Sequence, residues 1–202
     1  MIRVAERNGS LVMTGGLEPG TVAYVDADWV GAGVGELPAL VFPADAGDSE
    51  AATALRAFAR RAAEHVPDDG LEGVEVVGRG FAADEVRRLL AERGARPIER
   101  KDGRPRAIVE LTGDPQAIDS ALERLDVLGT LVLAGHTGDR PFPINLYRDL
   151  HLRAQRIIGV PEPTTTDGSD APGEGASGGT PAQVRLDAPV GPGSWYRIES
   201  NA

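Results

Sequence analysis

The 202-residue chain contains no cysteine. Disulfides, thiolate catalysis and cysteine-ligated zinc are therefore excluded. Aromatic residues are scarce, at 4%, so a hydrophobic core must be filled by Ala, Val, Leu and Ile. Basic residues are in deficit, with 21 Lys and Arg against 31 Asp and Glu and a formal net charge of −10. A chain this acidic lacks the basic face that non-specific binding to nucleic acid or to a membrane surface requires. No apolar run approaches the roughly 18 residues of a membrane span. Met1–Arg7 lacks the apolar stretch of a signal peptide. The expectation is a soluble, cytoplasmic protein with neither nucleic acid nor membrane among its partners. Hydrophobic residues make up 41% of the chain, enough for a core, and the length favours one domain with additions.

Five stretches separate by composition. Residues 1–47 form a small β-rich segment, with Leu11-Val12-Met13, Val22-Ala23-Tyr24-Val25 and Ala39-Leu40-Val41-Phe42 as short strands between Gly and Pro turns. Residues 48–70 read as a connecting helix, capped by Asp48 or Ser49, with Ala52, Leu55, Phe58, Ala59 and Ala62 as its apolar stripe. Residues 71–160 alternate Val/Ile/Leu-rich strands with helices of about ten residues, which implies a parallel sheet covered on both faces. Strands are expected at Val74–Val77, Arg96–Glu99, Ala107–Leu111, Thr130–Ala134 and Arg156–Val160. Helices are expected from Ala83 to Arg93 and from Asp114 through Leu125, and a helical turn from Asn145 to His151. Residues 161–183, rich in Thr, Gly, Ser, Asp and Pro, read as a disordered linker, because so few apolar side chains cannot offset ordering entropy. The tail, 184–202, could fold as a small hairpin from Val184–Asp187 and Trp195–Ile198, serving as a docking motif or a clip onto the domain.

The sharpest motif is Gly78-Arg79-Gly80-Phe81-Ala82-Ala83. It follows one expected strand and opens one expected helix, the context that gives G-x-G-x-x-G/A its meaning. Gly78 permits the tight turn, Gly80 lets a pyrophosphate approach the backbone, and Ala83 lets helix and strand pack closely. The helix N-terminus offers unpaired N–H groups to an anion. A tight strand-to-helix turn without a ligand is the alternative. Asp84 and Glu85 oppose a phosphate there, and Arg79 partly compensates. Glu99 and Asp102 are candidates for the ribose hydroxyls, although Arg100, Lys101 and Arg104 crowd the same place and would suit a 2′-phosphate.

Further on, Ile108-Val109-Glu110-Leu111-Thr112-Gly113-Asp114-Pro115-Gln116-Ala117-Ile118 and Leu128-Gly129-Thr130-Leu131-Val132-Leu133-Ala134-Gly135 stand in register with Pro143–Leu146 and His151–Gly159. This run resembles the nucleotide-binding half of the medium-chain, zinc-type alcohol and polyol dehydrogenases. The resemblance covers about half of the chain and is densest between residues 108 and 160. It implies a reduced α/β Rossmann-type parallel sheet with helices on both faces, preceded by the β-rich segment and followed by a disordered tail. It also implies a cofactor site for NAD or NADP at Gly78, Gly80, Ala83, Glu99, Thr112, Gly113 and Gly135. The family's zinc site is not built: Gly31–Gly35 stands where the first ligand cysteine belongs, Gly-His-Glu is absent, and the catalytic domain is shortened to a remnant. No metal is expected, and no β–α pair fits between Glu99 and Ala107.

Other constellations are thin. His65, His136 and His151 have no metal-ligand spacing. His136, just beyond Ala134-Gly135, is the one acid–base candidate, against a solvent-exposed loop histidine. The spacing of Asp26, Asp28 and Glu36 suggests turns rather than a carboxylate site, and Tyr24, Trp29 and Phe42 read as core or as an interface patch. The function expected is a degenerate dehydrogenase-like protein, an accessory or non-catalytic component of a biosynthetic pathway. Two alternatives stand beside it: a zinc-independent NAD(P) oxidoreductase acting with a partner subunit, and a module that recognises a protein or substrate peptide.

Overall fold

A computed structural model describes residues 2–7, 10–15, 17–18, 20–26, 28–29, 35–37, 39–43, 45, 47–96, 103–136, 144–163 and 195–199. The candidates Glu99 and Asp102, the rest of the expected strand at 96–99, the linker to 183 and Val184–Asp187 lie outside the described residues.

The N-terminal part forms two antiparallel sheets. Strands β1 (Ile2–Arg7), β2 (Ser10–Gly15) and β4 (Gly35–Leu37) make one, in the order β2-β1-β4. The other is β3 (Thr21–Asp26) with β5 (Leu40–Pro43) on one side and β10 (Trp195–Glu199) on the other. β1 and β4 were not foreseen. The tail strand β10 pairs antiparallel with β3 from Trp195 opposite Asp26 to Glu199 opposite Val22. The tail thus clips onto its own domain, and Ile198 is fully buried there.

The Rossmann-like part is a four-stranded parallel sheet, β6 (Val74–Val77), β7 (Ala107–Glu110), β8 (Thr130–Leu133) and β9 (Arg156–Gly159), in chain order. Glu72 and Arg96 form an isolated parallel bridge, the beginning of the expected strand at 96–99. Side chains alternate with period two, which separates the core into two layers. Ile108 and Leu131 face helix α3 (Pro115–Arg124), whose Ile118, Ala121 and Leu122 close that layer. Val109, Val132 and Ala107 face the larger layer, shared with α1 (Asp48–Glu64), α2 (Phe81–Glu92), β3 and β5.

The helices form where the sequence places them. Ala52, Leu55, Phe58, Ala59 and Ala62 of α1 are all buried, as are Val86 and Leu90 of α2. α1 starts one residue earlier than foreseen: Gly47 is the cap, and its N–H donates to the Glu50 carboxylate. Asp114 caps α3 by accepting from the Gln116 N–H, with Pro115 in the first turn. Residues Leu146–His151 form a π-helical turn.

The scarce aromatics hold the join between the two parts. Trp29 meets Phe58 of α1 edge to face at 6.3 Å, and Tyr24 meets Phe42 at 5.9 Å. Trp29, Tyr24 and Phe58 are among the largest fully buried side chains. Phe58→Ala is expected to cost about 3–5 kcal/mol, read from denaturant midpoints at unchanged slope.

Candidate functional site

The candidate site lies at the carboxyl ends of the parallel strands, where α/β sheets carry their ligands. Four segments meet there: the glycine loop after β6, the Leu111–Asp114 turn after β7, the Ala134–His136 stretch after β8, and the end of β3.

The glycine loop has the expected shape. Gly78 sits at φ +146°, which side chains disfavour, and a Cβ on it would stand 3.2 Å from Ala83 Cβ. Gly80 is the N-cap of α2. The N–H groups at this turn are nevertheless taken. Asp28 places its carboxylate across the loop, Oδ1 accepting from Arg79 N at 2.6 Å and Oδ2 from Gly80 N at 2.7 Å. Asp26 Oδ2 accepts from Ala82 N at 3.0 Å, and its Oδ1 accepts from the N–H of Asp28 at 3.0 Å. Two carboxylates, 51 to 56 residues away in sequence, thus fill the positions that an anionic ligand's oxygens would take. They supply a helix cap from another segment, since the first N–H groups of α2 have no partner within the helix.

Space fits this arrangement closely. A Cβ on Gly80 would fall 1.6 Å from Asp26 Oδ1, and one on Gly78 would fall 2.7 Å from Asp28 Oδ2. Both glycines therefore make room for the protein's own carboxylates. Reading Asp26 and Asp28 as turn residues missed this, because the partners lie in a different part of the chain. The signal on offer was two acids directly after a strand of buried side chains. Asp26 is 1% and Asp28 7% exposed.

Burial raises Asp26 from its ordinary value of 3.8 to about 7, against the pull of the bonds from Ala82 and Asp28, and the charges of Asp28 and Asp84 push it the same way. The folded state therefore keeps a proton that the unfolded chain loses. The stability this group contributes is full below about pH 4 and is lost as pH rises to about 7. Asp26→Asn should flatten that part of the stability curve, which amounts to a few kcal/mol in order of magnitude. Thermal melts at pH 5, 6, 7 and 8 measure it.

The second turn repeats the theme. Glu110, fully buried at the end of β7, accepts from Thr112 N at 2.8 Å, from the Thr112 hydroxyl and from Gly113 N at 3.1 Å. Burial pushes Glu110 upward, the three bonds pull it back, and Asp28's charge adds to the rise. Thr112 and Gly113, candidates for the cofactor's ribose and nicotinamide, thus hold a carboxylate of their own chain. Gly113 adopts φ +65°, and a Cβ on it would meet the His136 carbonyl oxygen at 2.0 Å. A Cβ on Gly135 would meet Gly113 N at 2.0 Å. These two glycines are required by backbone crossing backbone. Gly113→Ala is expected to destabilise by about 2 kcal/mol or more through both strain and overlap, measured by chemical denaturation.

His136 is mostly buried. Its Nδ1 lies against the Glu162 carboxylate, and its Nε2 is buried with no hydrogen-bond partner. The foreseen loop position is right, but the ring is not solvent-exposed. Asp84 and Glu85 are paired within the helix, with Arg87 and Arg88 respectively. Arg87 also donates to the carbonyls of Val76 and Gly78 beside the loop. Among the described residues no group of three or more His, Asp or Glu could hold a metal ion. No helix among them is long and apolar enough to cross a membrane.

No protein-family model matches the chain, and no curated protein does. Solved structures that align with it include dehydrogenases. One is L-idonate 5-dehydrogenase from Escherichia coli, at 18% identity and TM-score 0.45, covering 64% of this chain and 46% of that one. Another is 2R,3R-butanediol dehydrogenase from Bacillus subtilis, at 15% identity and TM-score 0.44, covering 66% and 48%. A third, an E. coli short chain alcohol dehydrogenase solved with NADH, has 14% identity and TM-score 0.47, covering 66% and 51%. The chain spans about half the length of each. At these identities the likeness concerns the layout of strands and helices; the cofactor and the activities belong to those proteins.

Proposed function

We propose that this chain is a non-catalytic, accessory protein on a dehydrogenase-like Rossmann scaffold, which acts by recognising a protein or peptide rather than by turning over a dinucleotide. One observation carries the reading: the Asp28 carboxylate already lies across the N–H groups of Arg79 and Gly80. Asp26 likewise engages the Ala82 N–H, and Glu110 the N–H groups of Thr112 and Gly113. A dinucleotide phosphate entering there would meet the Asp28 carboxylate and the Asp26 carboxyl group, and like-charge repulsion and desolvation both disfavour it. As arranged, the residues do not fit NAD or NADP. Exposed Leu128, Leu146, Tyr147 and Leu152, in the segments that precede β8 and β9 in sequence, support a partner-binding role.

The second reading is a zinc-independent NAD(P) oxidoreductase completed by a partner subunit. It is favoured by the retained glycine-loop geometry and by His136, whose Nε2 has no partner. Thermal unfolding with saturating NAD, NADH, NADP and NADPH separates the two. At about 100 times its dissociation constant a native-state ligand adds roughly 2.7 kcal/mol, on the order of 5–10 °C for a chain of this size. No shift with any of the four is expected; a shift of that size with one of them would establish the second reading.

A further inference from the structure

We propose that Asp26 and Asp28 form a proton-operated latch: with Asp26 neutral the end of β3 is fastened to the glycine loop, and ionisation of Asp26 loosens it. The inference rests on the reading of the loop above and adds a control to that same site.

The geometry makes the pair a joint. Asp26 ends β3, bonds the turn that carries Asp28, and bonds the first turn of α2. Asp28 bonds the loop itself. Three of these four bonds, from the N–H groups of Arg79, Gly80 and Ala82, fasten the β3 segment to the loop, and the fourth ties Asp28 to Asp26. The Asp26 carboxyl group occupies the space that a Cβ at Gly80 would take.

The charges set the direction. Around Asp26 stand Asp28 from its own segment and Asp84 from the first turn of α2, both raising the cost of ionisation. Glu110, at the end of β7, acts with Asp28 from the sheet side. Three cations of α1 and α2 have partners elsewhere: Arg87 with Asp84 and two carbonyls, Arg88 with Glu85 and Glu92, and Arg56 over the Phe81 ring. The Arg79 side chain is exposed. A neutral Asp26 keeps both N–H bonds, since carbonyl and hydroxyl oxygens each accept. An ionised Asp26 is a second buried negative charge beside Asp28, and the low-cost relief is for the carboxylate to leave for water. Its rise to about 7 places that change in the physiological range.

The test is a titration of the whole chain from pH 5 to 9 without ligand. It follows the amide signals of Arg79, Gly80 and Ala82 and the carboxyl carbon of Asp26 by NMR. In a Trp195→Phe background it also follows the emission of Trp29, which directly follows Asp28 and is buried. The three amides should move together with one midpoint near 7, and Trp29 emission should shift to the red over the same range. Asp26→Asn should abolish both changes, and Asp28→Asn should move the midpoint downward. Amides that do not move in the wild type, or a midpoint that survives in Asp26→Asn, overturn the latch. If Asp26→Asn does not fold, the wild-type Asp26 carboxyl signal decides, and a midpoint in the ordinary aspartate range overturns it. A chain that titrates this way yet binds NADH keeps the latch and loses the proposed function. A chain that binds no dinucleotide and does not titrate loses the latch alone.

Discussion

Gly80→Ala is expected to destabilise the protein by about 3 kcal/mol or more, a fall of roughly 6–12 °C in melting temperature. The added methyl would lie 1.6 Å from Asp26 Oδ1 and 2.6 Å from its carboxyl carbon. Gly80 has ordinary extended backbone, φ −75° and ψ 179°, so no conformational strain is involved. The whole effect comes from the carboxyl group that occupies the loop. If the loop were open to a ligand, the same methyl would point into solvent and cost little. A large loss therefore indicates an occupied loop, and a near-neutral result an open one.

The second large effect is that of Asp28→Ala. It removes the acceptor from Arg79 N and Gly80 N at once and leaves those donors unpaired at a helix N-terminus. Each such bond to a charged group is worth about 1.5–3 kcal/mol, and the unpaired donors add a penalty where water does not reach them. A net loss of about 2–4 kcal/mol is expected from denaturant unfolding. Millimolar phosphate or sulfate should restore part of it in the variant and none in the wild type, since only the variant has donors to offer. Asp28→Asn should lose less, because its amide oxygen still accepts one of the two bonds.

The fold was largely legible in the sequence, and the reason is periodicity. The stripe from Ala52 to Ala62, the runs Val74–Val77, Ile108–Val109 and Leu131–Val132, and the caps around Asp114 and Pro115 are local patterns, and each became the element it suggested. β1 and β4 were not legible, because Gly35-Glu36-Leu37 is a strand only through its antiparallel partner in β1. The tail was half legible: Trp195–Ile198 did form a strand, but its partner is β3, which lies more than 160 residues earlier.

The candidate site divides in the same way. The glycine loop could be read from its spacing, and so could its place between strand and helix. What fills it could not, because Asp26 and Asp28 are joined to it only through tertiary contact. Glu110 was the more readable case. A charged residue inside Ile108-Val109-Glu110-Leu111 has to find partners once the strand is buried, and Thr112-Gly113 supply them within three residues. Two acids at strand ends, Asp26 and Glu110, and one just beyond a strand, Asp28, all buried, make their own bonds to donors at the carboxyl ends of the strands.

The most direct test of the occupied loop is the amide spectrum of the wild-type chain with and without NADH. Amide protons of Arg79 and Gly80 that donate to a carboxylate at 2.6 and 2.7 Å should resonate well downfield of ordinary amides and should stay there at saturating NADH. Ordinary shifts that move saturably as NADH is added would mean that the loop is open to a dinucleotide, and would contradict the account.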